Sequence, residues 1–278
     1  MNLLLAEMTR KEIQRIAPHT TVVLPTASME QHGPHLPICT DSLLCETVVY
    51  SAALEAAEHI PVAVAPLLCY GNSHHHFPFA GVLSLTSHTF MAIVTEVLES
   101  LVRCGFRKLV VLNSHGGNAD ANSIVAQDFV NRLEHPVSIV SASYWEIARV
   151  AVMEKGLISN ELIPGHAGHF ETALMMAIRP ELVNQDGLAQ VRGVSKERSD
   201  SFTDPAGTSA QSNDGWTASC GFPRAIWDGA FLPVRVHGDW ADGRGYTDDP
   251  AAATIEEGRV ILDVIVHRVA DFLVAFHS

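Results

Sequence analysis

Positive charge is scarce in this sequence: 18 Lys and Arg stand against 31 Asp and Glu, a formal charge of −13. Non-specific affinity for a phosphate backbone comes from clustered Lys and Arg, so this balance argues against nucleic acid as a partner. Cysteine is sparse too. The five (Cys39, Cys45, Cys69, Cys104, Cys220) include no pair at CxxC spacing, and the apolar run in MNLLLAEMTRKE is too short for a signal peptide. A reducing cytoplasm is the expected setting. No uninterrupted apolar run approaches the roughly 20 residues that cross a bilayer, so no membrane partner is expected. Also missing are a GxSxG elbow, a GxxxxGK[ST] phosphate loop and a GxGxxG turn after the first strand.

What the chain has is apolar material and histidine. Of its 278 residues 47% are hydrophobic, enough for one large core, and the expectation is a single domain over 1–278. Short β-branched runs at 21–25, 61–68, 108–113 and 137–143 read as buried strands. Helical spacing occupies 41–58, 86–104, 118–134 and 145–155, then the apolar part of 165–178, and finally 252–275, where Ile261, Ile265, Val269 and Phe272 share one face. This βαβα order predicts an α/β class, three-layer α/β/α with a mostly parallel central sheet. The stretch 183–248 has little periodicity and reads as long surface loops with a short hairpin near 225–236.

In open α/β sheets ligands gather beyond the carboxyl ends of the strands. Three polar clusters fall there: MEQHGPHLPICTD (29–41), YGNSHHHFPF (70–79) and NSHGGN (113–118). In the first, Glu30, His32 and Asp41 offer the carboxylates and imidazole that suit zinc, manganese or iron(II), and Pro34 and Pro37 forbid a regular helix. The plainer alternative is a solvated loop in which Asp41 or Thr40 only caps a helix beginning at 42. His115, in the third cluster, is either a ligand or a polar residue at a helix start. In GHAGHFET, Glu171 would be favoured at a helix N-terminus by the dipole alone, and His166 or His169 is a candidate general acid/base. Three adjacent histidines at 74–76 cannot easily face one ion, so one of them is expected to line a pocket. Ser73 and His76, with Tyr144 and Trp145 after the fourth strand, are candidate substrate contacts. Trp216 and Trp227 are further candidate pocket walls.

Taken in order, LPTASMEQHGPHLPICTD, NSHGGN and HAGHFET resemble the creatininase (creatinine amidohydrolase) family. The resemblance implies an α/β/α domain in a homo-oligomer, a hexamer being one form, with two divalent ions (Zn, Mn or Fe) acting on a small amide. By motif, Glu30 and His115 would bind one ion, His32 the other, and Asp41 would bridge them. His166 matches the catalytic histidine, and Glu171 lies beside the centre as a ligand or catalytic group. A bound ion lowers the pKa of water from about 16 to about 7 and polarises a carbonyl, which suits hydrolysis of a C–N bond in a small, cyclic amide such as creatinine or a related lactam.

One departure bears on the substrate. The family's third motif places a bulky residue and then a ligand glutamate after its histidine, where this chain has Gly116 and Gly117. Either Glu171 or water completes the second site, or a single ion is held. Branches with the glycine version resemble a formamide hydrolase of deazaflavin biosynthesis and a peptidase of mycofactocin maturation. The alternative of another class is a metal-binding scaffold without turnover.

Overall fold

The computed structural model describes residues 2–132, 136–158, 163–191 and 244–278, together with the backbone of 224–227 and 230–233. Four strands form one all-parallel sheet: β1 (Thr21–Thr26), β2 (Val62–Val64), β3 (Lys108–Asn113) and β4 (Ser138–Ser143), in the order β2-β1-β3-β4. Parallel neighbours cannot be joined by a tight turn, so helices cross between them. These are α2 (Thr40–Ala56), α3 (Ser87–Cys104) and α4 (Ala119–Arg132).

Successive strand residues point to opposite faces, and both faces are apolar. Val23, Val64, Val110 and Leu112 pack under α2, α5 (Tyr144–Glu154), α6 (His169–Ile178) and α8 (Ile255–His277). Val22, Leu24, Leu109 and Val111 pack under α3 and α4, against Phe90, Val94, Leu98, Val125 and Phe129. Burial on both faces makes the strands continuously apolar, and the result is the expected three-layer α/β/α arrangement.

The differences from the sequence reading have local causes. The second run yields only Val62–Val64, because Pro66 has no N–H to donate; Ala65 and Leu68 still donate to Val23 and Pro25 of β1. A short helix α1 (Arg10–Ile16) was not anticipated: none of its residues is buried, so it shows no apolar period, and a Thr9/Glu12 capping box marks its start. Another helix, α7 (Gln185–Val191), stands where surface loop was expected. It forms because Leu188 and Val191 reach the core. The expected hairpin is present in the backbone as β5 (Arg224–Trp227) paired antiparallel with β6 (Ala230–Pro233). The rest of the 192–243 stretch, with Trp216 and the side chain of Trp227, lies outside the described residues. Along α8 the buried face runs Ile261, Ile265, Val269 and Leu273, and Phe272 sits at its edge. No helix among the described residues is long and apolar enough to cross a membrane.

Helix α8 packs closely on α6, and Gly258 marks the closest approach. A β-carbon there would overlap the Ala173 carbonyl and meet the Ala177 β-carbon at 3.1 Å. Alanine gains about 1 kcal/mol of helix propensity over glycine, whereas forcing two backbones apart costs about 1–3 kcal/mol. Gly258→Ala should therefore lower the denaturant midpoint; an unchanged or higher midpoint would show that the two helices can separate freely.

Candidate metal centre

The ends of β1 and β3 are locked together by one side chain. Asn113, the last residue of β3, accepts from Thr26 Oγ1 (3.2 Å) and from the His115 N–H (3.2 Å), and its amide donates to the His115 carbonyl (2.6 Å) and Ser143 Oγ (3.1 Å). This fixes the turn that carries His115. Its Nε2–H donates to the Asn72 carbonyl (2.9 Å), so Nδ1 turns inward, 3.2 Å from Glu30 Oε1 and 3.1 Å from Asp41 Oδ2. His32 is held in the opposite sense. Its Nδ1–H donates to the Glu30 carbonyl (3.0 Å), and Nε2 points at Asp41 Oδ1 (3.2 Å) and Glu171 Oε2 (3.7 Å).

Asp41 is not a cap. The helix begins at Thr40, so Asp41 lies inside its first turn and sends one oxygen toward each of these histidines. Glu171 does occupy the first turn of α6, yet it is buried and accepts from the Ala167 N–H (2.6 Å) while facing His32. His166 stands between the rings of His32 (centroids 4.5 Å apart) and His76 (4.2 Å). Its Nδ1 lies 3.6 Å from Glu30, and its Nε2 is 2.9 Å from the Gln31 carbonyl. His169, the other acid/base candidate, turns away to Glu257 on α8 (3.3 Å).

The candidate substrate contacts divide. His76 and Trp145 line a cavity of about 20 Å³ at the centre, the scale of a single water. Tyr144 is fully buried beside Trp145, with ring centroids 5.1 Å apart. Ser73 has its hydroxyl engaged behind the centre, bonded to Glu30 and to Ser28 and 3.2 Å from His115 Nε2. His35 ties the loop to α6 through Thr172 (3.0 Å).

Two residues escaped the sequence reading. The Gln31 amide is oriented by the Gly33 N–H, which donates to its Oε1 (2.9 Å), so its Nε2 faces His76 Nδ1 and His166 Nε2, each at 3.0 Å. It sits within the quoted motif, but only the fold reveals that it reaches His166. Asn113 was visible as the residue ending a strand, with nothing to mark it as a hub.

The electrostatics follow from burying three carboxylates together: Glu30, Asp41 and Glu171 are 1%, 2% and 4% exposed. Burial opposes charge on His32, but Asp41, then Glu171 and Glu30, outweigh it and push its pKa up to about 10. His115 is likewise raised well above the ordinary imidazole range, burial being overcome by Glu30 and Asp41. Burial lifts Glu171 to about 8, with Asp41 and Glu30 adding to the effect against His32. Glu30 stays well below the usual range, because His115, His76 and His166 outweigh its burial. At His76 and His166 burial outweighs the nearby Glu30 carboxylate: His76 falls to about 3, and His166 falls well below its usual value, with neighbouring histidines adding to the depression.

These groups fit divalent ions. His32 Nε2 and Asp41 Oδ2 are buried and form no hydrogen bond among the described residues, meeting only the ion-pair contacts above at 3.2 and 3.1 Å, so both remain available to a cation that displaces the imidazole protons. Potential ligand atoms lie within 4.8 Å of one another in three groups: His32, Asp41 and Glu171; Glu30, His75 and His115; and Glu30, His32 and His166.

The fold and this centre together define an α/β/α protein with a buried carboxylate–imidazole cluster at its strand ends. The family model described as Creatininase, creatinine amidohydrolase, matches residues 6–273. The chain belongs to the creatininase family of hydrolases. It is 28% identical to the mycofactocin precursor peptide peptidase of Mycobacterium tuberculosis over 284 residues, 97% of this chain and 91% of that protein. It is 31% identical to the creatinine amidohydrolase of Pseudomonas putida over 196 residues, 65% of this chain and 73% of the relative. A manganese creatininase structure superposes with a TM-score of 0.72 at 24% identity, covering 98% of this chain and 97% of the other.

Because His32, His115 and Glu171 hold protons at pH 7 in the metal-free cluster, metals bound by them must displace those protons, and apparent affinity should rise with pH at least through pH 8. Calorimetric titration with zinc in buffers of different ionisation enthalpy should register release of up to three protons per chain when both sites fill. Metal uptake with no proton release would contradict these protonation states.

Proposed function

We propose that the protein is a metal-dependent amidohydrolase that cleaves a C–N bond of a small amide, with two divalent ions (Zn, Mn or Fe) held by Glu30, His32, Asp41, His115 and Glu171. The observation that carries this reading is Asp41: its two oxygens face His32 and His115, each of which has its other ring nitrogen engaged by a backbone carbonyl. That is the second-layer support expected of imidazole ligands. Ions in such a site supply acidified water and polarise the scissile carbonyl.

The chain's own groups supply the proton transfer. His166 is neutral at pH 7, and with Nε2–H donating to the Gln31 carbonyl its Nδ1 faces the centre as a base. It would take up a proton at Nδ1 and return it to the leaving nitrogen, which is worth about 10²–10⁴ in rate. The hydrogen bond to the Gln31 carbonyl and the flanking rings of His32 and His76 hold the imidazole in place. In the same proposal the enzyme is cytoplasmic and homo-oligomeric.

A second reading, cleavage of a peptide bond, is favoured by size. Across Gln31, whose amide meets His76 and His166 of the centre, lies an open cavity of about 410 Å³ lined in part by Phe79, Arg244 and Tyr246, a volume suited to a group larger than a single small ring. The match to the mycofactocin peptidase also spans nearly the whole chain.

Dialysis against a chelator should abolish hydrolysis, and added zinc or manganese should restore it. Asp41→Ala should lose both metal and activity, whereas His166→Ala should keep its metal and lose about 10²–10⁴ in kcat. Mass spectrometry of products from lactams, hydantoins, formamides and short peptides separates ring opening from chain cleavage. Undiminished turnover by metal-free protein would overturn the proposal, and full metal occupancy with no turnover of any substrate would favour a scaffold.

A further inference from the structure

We propose that His75 is itself a metal ligand, completing with Glu30 and His115 a nitrogen-rich site beside the carboxylate-rich site of His32, Asp41 and Glu171. The proposal rests on the metal-centre reading above and adds to it a donor from a different loop.

The three histidines at 74–76 form one 3-10 turn, closed by the His76 N–H donating to the Ser73 carbonyl (2.9 Å). Three residues per turn send the rings in three directions, and residues three apart eclipse. His74 is exposed and stacks on Phe77, three positions on (4.8 Å). His76 turns inward to Glu30 and Gln31. His75 takes the third direction and lies over His115, with ring centroids 6.0 Å apart and planes 9° from parallel. A nitrogen of its ring lies within 4.8 Å of ligand atoms of both Glu30 and His115.

What brings the turn this close is Gly117. A β-carbon at that position would overlap the Asn72 carbonyl and sit 2.5 Å from His115 Nε2. Position 117 therefore bears no side chain while Asn72 accepts from His115, and it offers no donor to the centre. The same close approach draws the 72–76 loop over the strand end, held further by the Asn72 N–H donating to Asn118 Oδ1 (2.9 Å). The glycine that withholds a ligand is thus the one that lets the loop deliver an imidazole.

The consequence is a centre with unequal halves. Two imidazoles and a carboxylate favour zinc and other late first-row ions, while one imidazole and two carboxylates are more hospitable to manganese. His75 would set that difference.

The test uses the full chain, stripped of metal and titrated with Zn²⁺ and Mn²⁺ by calorimetry, with bound metal counted by mass spectrometry and Co²⁺ absorption read as a coordination signature. His75→Ala should weaken one of two zinc sites by at least about 10- to 100-fold, the loss seen when even a ligand's hydrogen-bonded support is removed. It should also change the cobalt spectrum and narrow the preference for zinc over manganese. His74→Ala, altered one residue away on the exposed face, should change none of these. If His75→Ala does not fold, His75→Gln carries the same comparison. Two zinc sites of wild-type affinity and an unaltered cobalt spectrum in the His75 variant would overturn this assignment alone. A wild-type protein that takes up no zinc would overturn the metal reading beneath it.

Discussion

Three carboxylates buried within reach of one another are the constraint on which this structure turns. Glu30, Asp41 and Glu171 come from a loop, a helix start and a distant helix start, and each is almost wholly removed from water. Like charges so placed cannot all ionise without a cation among them. In the metal-free protein the compensation is protonic: His32 and His115 hold their protons far above the ordinary imidazole range, and Glu171 keeps its own. A cluster that raises some pKa values and depresses others within a few ångströms is poised to exchange protons for metal.

The fold supplies this arrangement because the four strands of its central sheet run parallel. Parallel strands deliver their carboxyl ends to one edge, so the loops after β1, β2 and β3 converge there without special routing. Asn113 clamps two of those ends, Asn118 ties the loop after β2 to them by accepting from the Asn72 N–H (2.9 Å) while donating to the Ala27 carbonyl (3.0 Å), and Glu171 arrives on a helix pinned to α8 through Gly258. His32, His115 and Glu171 are therefore positioned by hydrogen bonds to backbone groups rather than by an ion, so this part of the site is preorganised.

Much of this was legible in the sequence, for identifiable reasons. Strands β1, β3 and β4 and the long helices are announced by apolar period, which in a three-layer protein follows burial directly. Glu30, His32, Asp41 and His115 stood out because metal-capable side chains crowded at strand ends have few structural reasons to be there. What escaped depends on partners far along the chain. Gln31 gains its meaning only from His166, 135 residues away, and Asn113 only from Thr26 and Ser143. His169 looked equivalent to His166 until α8 supplied Glu257. Helix α7 has a glycine in its interior and no propensity to predict it; it exists because Leu188 and Val191 are buried.

The central claim is that the carboxylate–imidazole cluster is a two-ion site organised about Asp41. Anomalous diffraction from crystals grown with zinc, recorded on both sides of the metal's absorption edge, tests it most directly. The account predicts two peaks flanking the Asp41 carboxylate, one beside His115 and one beside His32. A single peak remote from Asp41, or none at full zinc saturation, would contradict it.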